Sequence, residues 1–143
     1  PITAESVKWD HISVSLPLPE HLLKLEKRMK EISDTLYSIS LASKLAWLER
    51  CRAGFKTDVS CLSAGKTRIL HLPGELFVEY QLAAKAKRKD LFVAMAAYAD
   101  NGMGYIGTSS AYREGGYETS EASYVAPDTE AILMDAINRL LSN

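Results

Sequence analysis

The fold class is decided by the stretch Thr67-Arg68-Ile69-Leu70-His71-Leu72-Pro73-Gly74-Glu75. Its first six residues are typical of a short β-strand, and the Pro-Gly pair predicts where that strand ends. Residues 58–62 form a second short extended run, and the residues between the two runs, 63–66, predict a hairpin. After Gly74 a helix is predicted from Glu75 to about Arg88, and its buried side carries Phe77, Tyr80, Leu82 and Ala84.

The sequence before this stretch predicts a strand and then helix. Residues 7–16 alternate apolar and polar side chains near their end, which is typical of a strand. From Pro19 the apolar spacing changes to three and four, and this amphipathic pattern comprises Leu22, Leu25, Met29, Ile32, Leu36 and Ile39. A further helical stretch carries Leu45, Trp47, Leu48 and Cys51 and ends at Gly54. A break is expected near 34–35 or 38–40. The stripe spans fewer than three heptads, so packing onto the chain's own sheet is favoured over a coiled coil.

The sequence after this stretch predicts a strand, a loop and two helices. Residues 91–98 are almost continuously apolar, which is typical of a strand covered on both faces. The glycine-rich residues 101–107 predict a loop, and Thr108 or Ser109 is expected to cap a short helix that reaches 112–114. An extended piece over 117–125 leads to a last helix over about 129–141. Its apolar residues recur at helical spacing and are expected to face inward: Ile132, Leu133, Ala136, Ile137, Leu140 and Leu141. This order predicts one α/β domain over residues 1–143, with α+β as the open alternative, built on a mixed β-sheet flanked by helices.

Composition excludes several classes of protein. The 143 residues are 47% hydrophobic and 24% charged, with a net charge of −1, and a nucleic-acid binder usually shows a basic excess. No run of 18 apolar residues predicts a transmembrane segment, and no secretory leader is visible. The two cysteines, Cys51 and Cys61, are expected to be free thiols, although a turn near Gly54 would allow a bridge. These features favour a soluble, cytoplasmic protein.

The common catalytic motifs are absent or incomplete. Gly65-Lys66-Thr67 has the end of a phosphate-binding loop, but Ser60 stands where the motif needs its first glycine. Neither a G-x-S-x-G nor an H-E-x-x-H motif occurs, and His11, His21 and His71 are scattered along the chain. His71 is therefore interpreted as a sheet residue. Composition and pattern alone predict a globular α/β domain and no particular chemistry.

Three blocks of sequence are more specific. The first is Leu70-His71-Leu72-Pro73-Gly74-Glu75, the second is Asn101-Gly102-Met103-Gly104-Tyr105-Ile106-Gly107-Thr108, and the third is Ala111-Tyr112-Arg113-Glu114-Gly115-Gly116-Tyr117-Glu118. In this order they resemble the neutral (non-lysosomal) ceramidase family, and the resemblance covers residues 67–141. The chain would then be the C-terminal portion of a larger ceramidase-like catalytic domain.

The resemblance implies a zinc-dependent amide hydrolase that cleaves the N-acyl bond of ceramide-like lipids. It implies that Glu75 and Tyr105 are metal ligands and that Tyr117 stabilises the oxyanion of the reaction. The other zinc ligands would be histidines and the nucleophile a serine, all in an upstream half of the domain or a partner chain. The isolated chain is therefore expected to be inactive. The alternative is a non-catalytic α/β module, for binding or scaffolding, that kept the fold without the chemistry.

Physical chemistry is consistent with these roles. A carboxylate at the first turn of a helix is stabilised by the helix dipole, and a hard cation needs the ionised form. Tyrosine is an unusual zinc ligand, but a neighbouring cation favours the phenolate. The glycines around Tyr105 would let backbone approach closely. Tyr98, Tyr112 and Tyr124 are interpreted as packing residues with a solvent-exposed hydroxyl, and Glu118 as a structural hydrogen-bond partner.

Overall fold

The computed structural model describes residues 3, 6–25, 27, 35–99 and 103–142. Its elements, in chain order, are β1 (Val7–Val14), α1 (Glu20–Leu23), α2 (Thr35–Arg52), β2 (Thr57–Ala64), β3 (Thr67–Pro73), β4 (Glu75–Leu76), α3 (Val78–Lys87), β5 (Phe92–Ala99), β6 (Tyr105–Ile106), α4 (Ser109–Glu114) and α5 (Thr129–Ser142).

The main sheet has four strands in the order β1-β2-β3-β5. The first three strands are antiparallel neighbours, and β5 pairs with β3 in parallel. Gly65 occupies the two-residue turn between β2 and β3 with a φ of +57°, a conformation that glycine adopts at low cost. A second, two-stranded sheet pairs β4 with β6, also in parallel. The predicted α/β class with a mixed sheet flanked by helices is therefore confirmed, as is the predicted hairpin.

One face of the main sheet carries the hydrophobic core. Val59, Cys61, Leu70 and Val93 point into it from β2, β3 and β5. Helices α3 and α5 supply Tyr80 and Ala84, and Leu133, Ala136, Ile137, Leu140 and Leu141, respectively. Leu22, Leu25, Leu41 and Trp47 of the helical N-terminal half join the same core. Burial of this many apolar side chains is the main stabilising contribution to such a fold.

The opposite face, here called the open face, consists of Val7, Trp9, Leu62, Ile69, Phe92 and Ala94. Trp9, Leu62, Ile69 and Ala94 are register partners across the four strands. Trp9 is 57% exposed and Phe92 is 67% exposed, and both are large apolar side chains. The prediction that residues 91–98 are covered on both faces is wrong: within β5 only Val93 is buried. Strand β5 lies at the edge of the main sheet. Its sequence is as apolar as that of a strand buried on both faces, but one of its faces is left open.

The structure corrects four further sequence predictions. The helix begins at Val78 rather than at Glu75, and Leu82 on it is exposed rather than buried. Residues 117–122 form turns rather than an extended piece. Helix α2 runs unbroken across residues 38–40. The other predicted break and much of the first apolar stripe, including Met29 and Ile32, lie outside the described residues.

Several predicted boundaries are confirmed. Helix α2 is followed by Gly54 at a φ of +84°, and Thr108 caps α4 by accepting a hydrogen bond from the Ala111 backbone N–H. The last helix has the predicted inward side chains. Both cysteines are free. No helix among the described residues is long and apolar enough to span a membrane.

Candidate metal-binding and catalytic site

The pairing of β4 with β6 brings the two predicted metal ligands together. Glu75 and Tyr105 are direct register partners in this parallel pair, although 30 positions separate them in the sequence. The Glu75 backbone N–H donates to the Gly104 carbonyl at 2.9 Å, and the Phe77 N–H donates to the Ile106 carbonyl at 3.1 Å. Glu75 therefore lies in a short strand before helix α3, and the helix dipole argument made from the sequence does not apply to it.

Glycines make this close pairing possible. Gly74 and Gly104 both have a φ of +67°. A Cβ on Gly74 would lie 2.8 Å from the Gly104 carbonyl oxygen, and a Cβ on Gly104 would lie 2.1 Å from the Ala122 carbonyl oxygen. Side chains at either position would push apart the three backbone segments that meet here. The expectation that the glycines serve close backbone approach is confirmed at Gly104, while Gly102 lies outside the described residues.

Tyr117, which belongs to the third block of sequence, lies beside Tyr105. Helix α4 ends at Glu114 and is followed by Gly115 and Gly116, which have φ values of +81° and +122°. The Tyr117 and Tyr105 rings meet edge to face with their centroids 6.1 Å apart and an interplanar angle of 70°. Tyr117 is 69% exposed, so its phenol is open to a ligand. All three residues predicted from the resemblance are thus neighbours in the structure.

The segments that carry these residues are fixed by polar contacts. The Tyr112 hydroxyl lies 2.7 Å from the Ser123 hydroxyl and donates to the Val125 carbonyl at 3.2 Å. The Tyr80 hydroxyl, fully buried, donates to the Gly107 carbonyl at 3.0 Å. The prediction of a solvent-exposed hydroxyl on Tyr112 is therefore wrong, because that hydroxyl joins α4 to the turn before α5.

Electrostatics link Glu75 to two phenols. The negative charge of Glu75 is the main cause that raises the pKa of Tyr105, and hydrogen bonding to Glu75 is the main cause that raises the pKa of Tyr98. A bound cation would lower the pKa of both phenols, since it favours the phenolate form. Tyr98 is 64% exposed, so it lies at the rim of the fold and not in the core.

A cleft of about 440 Å³ opens beside Tyr105 and Tyr117. Lys44, Glu121 and Tyr124 also line it. The buried Lys44 ammonium donates to the Glu121 carbonyl at 2.5 Å and lies 5.6 Å from the centre of the Tyr124 ring. No pattern in the sequence pointed to Lys44, because it comes from helix α2, 61 positions before Tyr105. A larger cavity, of about 520 Å³ between β1 and α5, contains none of the predicted site residues.

The donor set fits half of a zinc site. Structural and catalytic zinc take three or four protein ligands, mostly histidine, cysteine and carboxylate. Glu75 and Tyr105 offer two oxygen atoms, and the part of the chain that the structure describes holds no group of three or more His, Cys, Asp and Glu residues suited to a metal. His71 stacks against Trp9 with ring centroids 4.9 Å apart. Any further ligands would come from outside the described residues.

Comparison with known proteins gives a match of fold only. No protein-family model matches the chain, and no curated protein sequence matches it. A solved structure described as a ceramidase complexed with C2 is similar over 58% of this chain and 14% of its own, with a TM-score of 0.50 and 21% identity. The neutral ceramidase from Pseudomonas aeruginosa is similar over 61% of this chain and 15% of its own, with a TM-score of 0.49 and 21% identity. The chain spans about one seventh of the length of these structures. The resemblance predicted from the sequence is confirmed at the level of the fold.

Proposed function

We propose that this chain is part of a zinc-dependent amide hydrolase that resembles neutral ceramidase. One observation carries the proposal: the β4–β6 pair makes Glu75 and Tyr105 register partners, and Tyr117 stands against Tyr105. The three residues were predicted from three separate blocks of sequence. An unrelated fold is not expected to bring them together. The similarity of fold to part of a ceramidase supports the same conclusion.

In this proposal two of the residues bind the metal and the third stabilises the oxyanion. Glu75 and Tyr105 would hold the metal through a carboxylate and a phenol oxygen. Zinc, when bound, polarises the carbonyl of the substrate and activates a hydroxyl or water. The Tyr117 phenol would donate a hydrogen bond to the substrate oxygen that becomes negative during attack. Tyr117 is exposed and lines the cleft, which leaves room for a substrate amide.

The open face supports the view that residues 1–143 form one portion of a larger catalytic domain. A parallel strand pair normally has both faces covered, and here exposed Trp9 and Phe92 lie on the uncovered side of β3 and β5. Apolar surface of this kind marks a contact with other protein. The upstream half of the domain, or a partner chain, would cover it and supply the serine nucleophile and the histidine ligands. The substrate would be a lipid amide.

The proposal is tested on the complete protein with three tyrosine variants. Tyr105→Phe removes a metal ligand, so bound zinc and activity should fall together. Tyr117→Phe removes an oxyanion donor, so kcat should fall by about 10²–10³ while bound zinc and KM change little. Tyr124→Phe is the matched control, because Tyr124 lines the same cleft without an assigned role, and it should change kcat by less than about threefold. A Tyr117→Phe enzyme with normal kcat, or with lost zinc, contradicts the oxyanion assignment.

The isolated chain gives a second test. With two oxygen ligands it should bind zinc weakly, without a stoichiometric site at micromolar concentration, and it should not hydrolyse a ceramide analogue above a Glu75→Ala control. Turnover by the chain alone would show that its own residues supply a nucleophile. If the complete protein neither binds zinc nor cleaves amides, the alternative of a non-catalytic module that kept the fold is correct.

A further inference from the structure

Lys44 is a buried lysine beside the candidate site. It belongs to helix α2, has 8% of its surface exposed, and lines the cleft together with Tyr105 and Tyr117. Lysine is one of the residues least often buried, because taking an ammonium out of water is costly unless it is paired. An apolar side chain of similar length would fill the same space without that cost. The charge at this position therefore needs an explanation in its contacts.

The ammonium contacts the turn formed by residues 117–122. Its Nζ donates to the Glu121 carbonyl at 2.5 Å, lies 3.4 Å from the Glu121 carboxylate and lies 5.6 Å from the centre of the Tyr124 ring. One turn further along the same helix, the Trp47 indole N–H donates to the Tyr124 carbonyl at 3.0 Å. Hydrogen bonds from a charged donor are stronger than those from a neutral one. Helix α2 thus fastens the end of the turn, and the ammonium of Lys44 makes the charge-assisted bond.

The same turn contacts both tyrosines of the site. The Ala122 carbonyl, which follows the carbonyl bound by Lys44, accepts a hydrogen bond from the Tyr105 N–H at 3.2 Å. At the other end of the turn, the Tyr117 carbonyl accepts one from the Ser120 hydroxyl at 3.1 Å. Tyr117 is 69% exposed, so packing around its ring does little to keep it against Tyr105. The backbone of the turn therefore sets the distance between the two rings.

We propose that Lys44 is a positioning residue: its ammonium fastens the turn of residues 117–122 to helix α2 and thereby holds the Tyr117 ring against Tyr105. The consequence for catalysis rests on the proposed function, in which the Tyr117 phenol donates to the oxyanion. A reacting or stabilising group that is misplaced by about 1 Å loses much of its effect on the rate. Loss of the Lys44 charge should therefore act on the reaction through Tyr117.

The position of Tyr117 is measured on the chain without metal. The Tyr105 and Tyr117 rings, with centroids 6.1 Å apart, should give a nuclear Overhauser cross-peak between their ring protons, which Tyr105→Phe and Tyr117→Phe assign. Lys44→Met keeps a side chain of similar length and removes the charged donor. It should lose most of this cross-peak, while an unchanged ring signal of buried Tyr80 shows that the core is intact. A cross-peak of wild-type intensity in folded Lys44→Met overturns the proposal.

Three further variants separate the charged donor from packing. Lys44→Arg keeps a cation with N–H donors and should keep the cross-peak; a loss equal to that in Lys44→Met would show that side-chain shape decides, and would overturn the proposal. Lys56→Met removes an exposed lysine between α2 and β2 and should leave the cross-peak unchanged, and a loss there would equally overturn it. If Lys44→Met does not fold, Lys44→Gln takes its place, because its amide ends one atom short of the ammonium; full intensity in that variant overturns the proposal.

Kinetics of the complete protein test the catalytic consequence. In Lys44→Met, kcat should fall by about 10-fold while KM and bound zinc change little. In a Tyr117→Phe background the same substitution should lower kcat hardly further, because the donor that Lys44 positions is already absent. Losses that multiply in the double variant overturn the positioning role. If the complete protein cleaves no amide, the proposed function fails, and the cross-peak between Tyr105 and Tyr117 alone decides the role of Lys44.

Discussion

Gly104→Ala tests the backbone architecture of the site. An added Cβ would lie 2.1 Å from the Ala122 carbonyl oxygen and 3.3 Å from its carbon. Both atoms are backbone, so no side-chain rotation relieves the overlap. The turn that contains Ala122 must move away from β6, and the hydrogen bond from the Tyr105 N–H to the Ala122 carbonyl, 3.2 Å long, is lost.

Three contributions add up to the expected loss in the free energy of unfolding. The left-handed conformation at a φ of +67° costs an alanine about 1 kcal/mol. Overpacking against rigid neighbours costs about 1–3 kcal/mol, and the lost hydrogen bond about 1 kcal/mol. The free energy of unfolding should therefore fall by about 3–5 kcal/mol, a large share of the stability of a small domain.

Gly54→Ala is the matched control. Gly54 also has a positive φ, +84°, but an added Cβ would meet nothing within 4 Å. Only the cost of the left-handed conformation applies, so the free energy of unfolding should fall by about 1 kcal/mol. Urea unfolding of both variants, followed by circular dichroism, measures the difference. If the two variants lose the same stability within about 0.5 kcal/mol, the close approach of the three backbone segments at Gly104 is refuted.

Three further predictions concern the scaffold. Tyr80→Phe should lower the free energy of unfolding by about 1–3 kcal/mol, because it leaves the buried Gly107 carbonyl without its donor; equal urea midpoints for variant and wild type would contradict this. Cys61 should react with an aromatic disulfide reagent only on unfolding, because it is buried and burial raises its pKa; rapid labelling of the native chain would contradict it. Hydrogen bonding to Arg88 lowers the pKa of Asp90 to about 2, so its stabilising effect should be present above about pH 4 and lost as the pH falls toward 2. An NMR titration of the Asp90 carboxyl should show a normal pKa in Arg88→Gln, and an unchanged low value there would assign the shift to another cause.

Local patterns predicted most of the fold. The hairpin followed from two extended runs around Gly65, and α5 followed from a helical spacing of apolar residues that the structure buries. The end of α2 followed from Gly54, since a positive φ is cheap for glycine. Each of these signals depends on residues close together in the sequence, where propensity and periodicity are informative.

The errors arise where distant segments meet. Glu75 was predicted to begin the helix whose apolar side chains follow it, but pairing with Tyr105 takes Glu75 and Leu76 into a strand instead. The exposure of β5 could not be read from its apolar sequence, because composition does not reveal whether a second layer exists. The positive φ of Tyr98 accompanies a one-residue offset between β3 and β5, for which the sequence carries no signal.

The open face and the candidate site belong to the same pair of strands. Strand β3 leads through Gly74 into β4 and Glu75, and Pro73 of β3 pairs with Ala99 at the end of β5, so Glu75 lies just beyond the carboxyl ends of the parallel pair. Ligand sites of α/β sheets occur at such ends. Protein that covers Phe92 and the rest of the open face would run along these strands and reach the edge where Glu75 and Tyr105 offer two of the ligands that zinc requires. In the proposed function, covering the apolar face and completing the metal site are therefore a single event, and the isolated chain should lack both.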